Sequence, residues 1–290
     1  MMRIKKTLNN EYLLTPSGVW VRNFAKPKAP FVDINKHLYS NADYQLYMVN
    51  ESFSHQERYL RIDNESVTLD KIAIISDGYG FEEKQKLLAK IDKTVAIVAV
   101  NGALANWNLT SKTTPTDQRR RINFYLTNNP YRESLSDLPK ERFFPRCIAS
   151  SRTYPEFLMK YKGDIFTYMP TSTDTYAGNR VQPTYKIDDY RNPICASIGI
   201  AYRFGVKKLL LFCCDASFED NRPASVKLDN GLYAYEQQLM SQQIIDANLH
   251  WLKQEGVEIA DHSSGVNYDN AVYINEDRIV SFFEEENEGT

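Results

Sequence analysis

KIAIISDGYGFEEKQKLLAKIDKTVAIVAVNGALANW, residues 71–107, reads as strand, glycine turn, helix, strand and a second turn at Asn101-Gly102. Its two apolar runs, Ile72 to Ile75 and Val95 to Val100, lack the polar alternation of a half-solvated strand. They suit a parallel sheet covered by helices on both faces. The expected class is therefore α/β and Rossmann-like, a mostly parallel sheet with helices on both faces. Both turns then lie at the carboxyl ends of adjacent strands, where open α/β sheets bind ligands.

Further strands follow the same logic. Ile122 to Thr127 is a third strand, stopped at Asn128-Asn129-Pro130, and KKLLLFCCD at 207–215 is the clearest central one, ending in the carboxylate of Asp215. Helices are expected at Pro155 to Lys162, at Pro193 to Phe204 and from about Leu232 to Gln254. Val257 to Ala260 is a last strand, with 261–265, DHSSG, as its edge turn. Residues 1–70, rich in Tyr, Asn and Pro, read as a strand-containing extension packed on a core at 71–283, and 284–290 as a frayed tail. The polar run from 169 to 189 has no helical period and reads as a lid, a binding loop or a disordered segment, with Arg180 in it and Arg191 just past it.

The chain has 290 residues, 42% hydrophobic and 25% charged, enough for one large core, and a net charge of -2 that gives no overall attraction to nucleic acid. Four cysteines without CxxC spacing read as free thiols of a reducing compartment. No segment approaches the roughly 20 apolar residues of a membrane helix, so a cytoplasmic location is expected. Neither a Walker-type loop, an HExxH motif nor a GxSxG elbow occurs.

Chemistry is expected at the strand ends. The backbone of Gly78 and Gly80 offers an anion site at a helix start, weakened by Glu82 and Glu83. Asn101, Gly102, Asn129 and Asp215 lie past other strand ends, where an amide holds a base, ribose or phosphate without a metal; asparagine also suits turns in its own right. His262, in the edge turn, and Glu236, at the start of the long helix, are the candidate acid–base groups. Arg180 and Arg191 are candidates to neutralise a diphosphate. No metal-ligand spacing is present.

Residues 71–265 resemble the family that contains 6-hydroxymethylpterin diphosphokinase and the motility-associated glycosyltransferases, and distantly the bacterial sialyltransferases. The resemblance rests on IAIISDGYG, AVNGAL, NFYLTNNP, GIAYRFGVKKLLLFCCDASF and the helix QQLMSQQIIDANLHWL. It implies a nucleotide-binding transferase. The diphosphokinase pattern carries aspartates where this chain has Asn101 and Asn128-Asn129, while the sialyltransferase pattern has asparagines matching Asn101 and Asn129. The latter family's phosphate grip falls near Asn192-Pro193-Ile194 and its catalytic histidine near Gln237, so neither is retained. The expectation is metal-independent transfer from a nucleotide-activated sugar to a glycan or small-molecule acceptor. The alternatives are a magnesium-dependent diphosphokinase using ATP on a pterin-like alcohol, and an inactive nucleotide-binding or assembly protein.

Overall fold

The computed structural model describes residues 67–109, 119–139, 144–170, 192–215, 231–265 and 268–284. It also describes shorter pieces at 4–6, 11–14, 20–22, 60–61, 186–187 and 225–228, and positions 189, 217 and 223. Most of the extension at 1–70, Arg180, Arg191 and the tail beyond 284 lie outside these residues.

The all-apolar runs become the centre of a ten-stranded sheet. In chain order its strands are β4 (Leu60–Arg61), β5 (Lys71–Ile75), β6 (Ala96–Val100), β7 (Phe124–Thr127), β8 (Arg146–Ser150), β9 (Ile165–Pro170), β10 (Lys186–Ile187), β11 (Lys208–Phe212), β14 (Glu258–His262) and β15 (Val272–Tyr273). They lie in the order β10-β9-β8-β7-β6-β5-β11-β14-β15, with β4 beside β9, and every pairing is parallel. A three-stranded antiparallel sheet of β1 (Ile4–Lys6), β2 (Glu11–Leu14) and β3 (Trp20–Arg22) supplies the strand content expected near the amino end.

Successive residues of β5 enter opposite cores. Ile72 and Ile74 pack with Ile198 of α3 (Pro193–Arg203) and Leu249 of α4 (Glu236–Gln254). Ala73 and Ile75 pack with Phe81 of α1 (Phe81–Lys84), Phe157 of α2 (Pro155–Lys160) and Ile279 of α5 (Arg278–Phe282). Double burial is why these strands have no polar alternation. The helix starts follow local chemistry: Asn192 Oδ1 accepts from the Ile194 amide at 2.8 Å, with Pro193 at the first helical position. No helix among the described residues is long and apolar enough to cross a membrane.

Four local expectations need correction. The helix after the glycine turn is only four residues of α-helix, followed by a 3₁₀ segment at Gln85–Ala89. The buried Gln85 side chain gives its amide to the Glu82 and Asn106 carbonyls, so Glu82 is bonded without a regular α-turn. The long helix starts at Glu236, not at Leu232, because the alternating Tyr-Ala-Tyr forms β13 (Tyr233–Tyr235), paired antiparallel with β12 (Ser225–Lys227). The last predicted strand runs on to His262, taking Asp261 and His262 out of the expected edge turn and into the buried sheet. Finally, β15 and α5 carry no signal that marked them in the sequence; β15 is two exposed residues long.

Candidate functional site

The sheet order reverses at β5. The chain moves outward from β5 through β6 to β10, then returns to lay β11 on the other side of β5. Such a switch point opens a crevice beyond the carboxyl ends of the two diverging strands. An open cleft of about 470 Å³ lies there, lined by Asp77, Tyr79, Lys84, Asn106 and Ser264 together with the Gly78 and Gly80 backbone and the start of α1.

The cleft floor is built by close approach. Ser76 donates its amide to the Phe212 carbonyl at 3.1 Å, Gly78 to the Cys213 carbonyl at 3.1 Å, and Tyr79 to Asp215 Oδ1 at 3.3 Å. A Cβ on Gly78 would stand well inside 3.0 Å of both Asp215 Oδ1 and the Cys213 carbonyl. Glycine is needed here because two strand ends touch. On either side of β5 the neighbouring strands end in left-handed residues, Asn101 (φ 52) after β6 and Cys213 (φ 53) after β11. Asparagine tolerates that backbone better than cysteine, so strain is concentrated beside the cleft at Cys213.

The predicted site residues separate into three groups. Gly78 and Gly80 line the cleft, but the amides of Gly78, Tyr79 and Phe81 already serve protein carbonyls or Asp215, so the turn meets a ligand through side chains more than through a backbone cradle. Asn101 and Gly102 stand at the rim: Asn101 Nδ2 donates to Ser76 Oγ at 3.4 Å, and the Asp77 carboxylate lies where a Gly102 Cβ would be. Asn129 is two strands away, its Oδ1 accepting from the Tyr131 amide at 3.0 Å in a local turn. Asp215 is fully buried under Gly78, and its carbonyl accepts from Gln242 Nε2 of α4 at 2.8 Å. Glu236 is the first residue of α4.

His262 lies outside the cleft lining, 3% exposed, between the rings of Phe212 and Tyr273 at 5.4 and 6.3 Å. Its Nδ1 donates to the Ile274 carbonyl at 2.8 Å, which fixes the proton on that nitrogen. Burial lowers its pKa and keeps the ring neutral. All four cysteines are free and buried; burial pushes Cys213 up to about 12, so its thiol stays protonated beside the cleft.

Three functional groups were not singled out from the sequence. Lys84 crosses the cleft to donate from Nζ to Ser264 Oγ, joining the turn after β5 to the one after β14. Asp77 is open to the cleft, while protein crowded behind its carboxylate raises its pKa against the lowering effect of its own backbone, Ser76 and the Gly102 backbone. Asp77 had a signal: it is the first carboxylate after a fully buried strand.

The third is Asp261, buried at 1% exposure with Ser263 Oγ donating to it at 2.6 Å. Burial, with the charge of Asp215 adding, pushes its carboxyl up to about 7. The folded protein therefore keeps a proton that the unfolded chain releases near pH 4, and this stabilisation is lost as pH rises from about 4 to about 7. Asp261→Asn removes the dependence: urea unfolding should find it more stable than wild type by about 4 kcal/mol at pH 8 and equal at pH 4.

Fold and cleft define a doubly wound α/β protein with an open crevice at its switch point. Neither a protein-family model nor a curated protein matches the sequence. Among solved structures the chain is similar to the MAf glycosyltransferase from Magnetospirillum magneticum AMB-1, with a TM-score of 0.62 and 16% sequence identity. The match covers 82% of this chain and 39% of that one, so this chain spans about two fifths of its neighbour's length. At that identity the likeness is one of fold, and it falls on the glycosyltransferase part of the family resemblance.

Proposed function

We propose that this chain is a glycosyltransferase-like enzyme that takes a nucleotide-activated sugar in the switch-point cleft and transfers the sugar without a metal. The observation that carries the reading is the cleft itself, with Lys84 held across it on Ser264. An ammonium there supplies the positive charge that the departing phosphate needs, the part a divalent cation plays in other transferases. Asn101, at the rim, offers an amide to a ribose or base, and Asn129 lies further along the same sheet edge. Arg180, within 170–190, and Arg191, the residue just after that segment, are proposed to neutralise the donor's diphosphate. The fold neighbour, a glycosyltransferase by its title, supports the class of reaction.

A thermal-shift panel tests this reading. UDP-glucose, UDP-N-acetylglucosamine, GDP-mannose, CMP-N-acetylneuraminate and ATP are each compared with and without EDTA and magnesium. A donor sugar should raise the melting temperature equally with EDTA, since a ligand that binds only the folded state stabilises it. Stabilisation by ATP alone, and only with magnesium, would instead identify the diphosphokinase reading, for which the open Asp77 carboxylate is the favouring observation.

A further inference from the structure

We propose that Asp77 is the proton acceptor of the transfer, an assignment that rests on the glycosyl-transfer reading. A base must reach the proton it removes. His262 does not line the cleft; Asp77, Glu82 and Glu83 do, and of these Asp77 has its carboxylate held at the strand ends while the two glutamates stand exposed on α1. Its carboxylate is fixed between two strand-end turns: Oδ1 lies 3.5 Å from the Ser76 hydroxyl, and Oδ2 fills the space left by the missing side chain of Gly102. The 101–103 turn packs against the 3₁₀ turn Arg132–Asp137, which brings Asp137 up behind Asp77. There Asp137 Oδ2 accepts from the buried Tyr125 hydroxyl at 3.4 Å.

The charge arrangement suits a base. Glu82, Glu83 and Lys84 share the cleft with Asp77, Asp215 lies behind Gly78, and Asp137 and Tyr125 face it from the β7 side. Burial, with the charge of Asp77 adding, pushes Asp137 up to about 6. Asp137 therefore still holds its proton when Asp77 has already ionised, which leaves Asp77 as the carboxylate able to accept one. In the step itself the Asp77 carboxylate takes the acceptor hydroxyl proton. The freed oxygen lone pair bonds to the anomeric carbon, the bond from that carbon to the phosphate oxygen breaks, and its electron pair leaves with the nucleotide phosphate opposite Lys84.

The test uses whichever nucleotide sugar in the panel above binds, with water as acceptor, and follows nucleotide release by wild type, Asp77→Asn and Asp137→Asn from pH 5 to 9. Asp77→Asn is expected to bind the probe within about threefold of wild type and to lose turnover by roughly 10²- to 10⁴-fold. Asp137→Asn is expected to keep turnover within about tenfold and to leave the acid limb of the kcat/KM profile in place, because Asp137 is neutral where Asp77 titrates. An acid limb moved to lower pH would mean that Asp137, not Asp77, ionises first, and would overturn the choice of Asp77 as the proton acceptor. Undiminished turnover by probe-bound Asp77→Asn removes the base assignment alone. Failure of every probe to bind wild type removes the transferase reading and this assignment with it.

Discussion

Gly78→Ala is expected to destabilise the protein by about 3 kcal/mol, at the upper end for overpacking a filled site. The added methyl would lie inside contact distance of Asp215 Oδ1 and the Cys213 carbonyl. Neither gives way easily. Cys213 is buried in a left-handed conformation with its amide on the His262 carbonyl at 3.3 Å, and Asp215 is pinned by Tyr79 and Gln242. Relief requires the ends of β5 and β11 to separate, breaking the Gly78 amide bond to Cys213. Urea denaturation monitored by tryptophan fluorescence reads the loss; a midpoint unchanged from wild type would mean that the two strand ends are not packed as described. Gly102→Ala makes a useful contrast. Its methyl would meet the end of the Asp77 side chain, Oδ2 and Cγ, with Asn106 Nδ2 at ordinary contact; that carboxylate is open to the cleft, so the change should cost under about 1 kcal/mol while displacing it.

Lys84→Met is expected to weaken donor binding by roughly 10- to 100-fold, the worth of one charge-assisted hydrogen bond to a phosphate. The methionine keeps the aliphatic stem that lies along Gly80, so the cleft wall stays packed. The partly exposed ammonium bonds Ser264 in the unliganded protein, and moving to a phosphate exchanges a neutral acceptor for an anionic one. Isothermal titration at low and at high salt reads the effect. Wild-type affinity should fall with salt while that of the variant changes less, because the lost contact is the one screened. Equal affinities for wild type and variant would remove Lys84 from the site.

The sheet was legible because burial on both faces writes itself as uninterrupted apolar runs: Ile72 to Ile75, Val95 to Val100 and the 208–212 strand were all readable. The cleft's location followed from the same runs. Its chemistry followed less well, because the side chains that meet there come from turns whose register depends on tertiary contacts. Asp261 and His262 look like a polar edge turn, yet they lie inside the sheet, where Asp261 Oδ1 accepts from the Ser263 hydroxyl and His262 Nδ1 donates to the Ile274 carbonyl. Lys84 and Ser264 are 180 residues apart, and no spacing rule joins them. Asp215 was placed correctly at a strand end, but what local sequence could not show is that it faces inward, beneath Gly78.

The central claim is that the switch-point cleft receives a nucleotide. A crystal structure with the tightest-binding nucleotide sugar tests it most directly. The account predicts a phosphate within hydrogen-bond distance of Lys84 Nζ and the donor's anomeric carbon on the Asp77 side of the cleft. A nucleotide seated away from Asp77, Lys84 and Ser264 would contradict it.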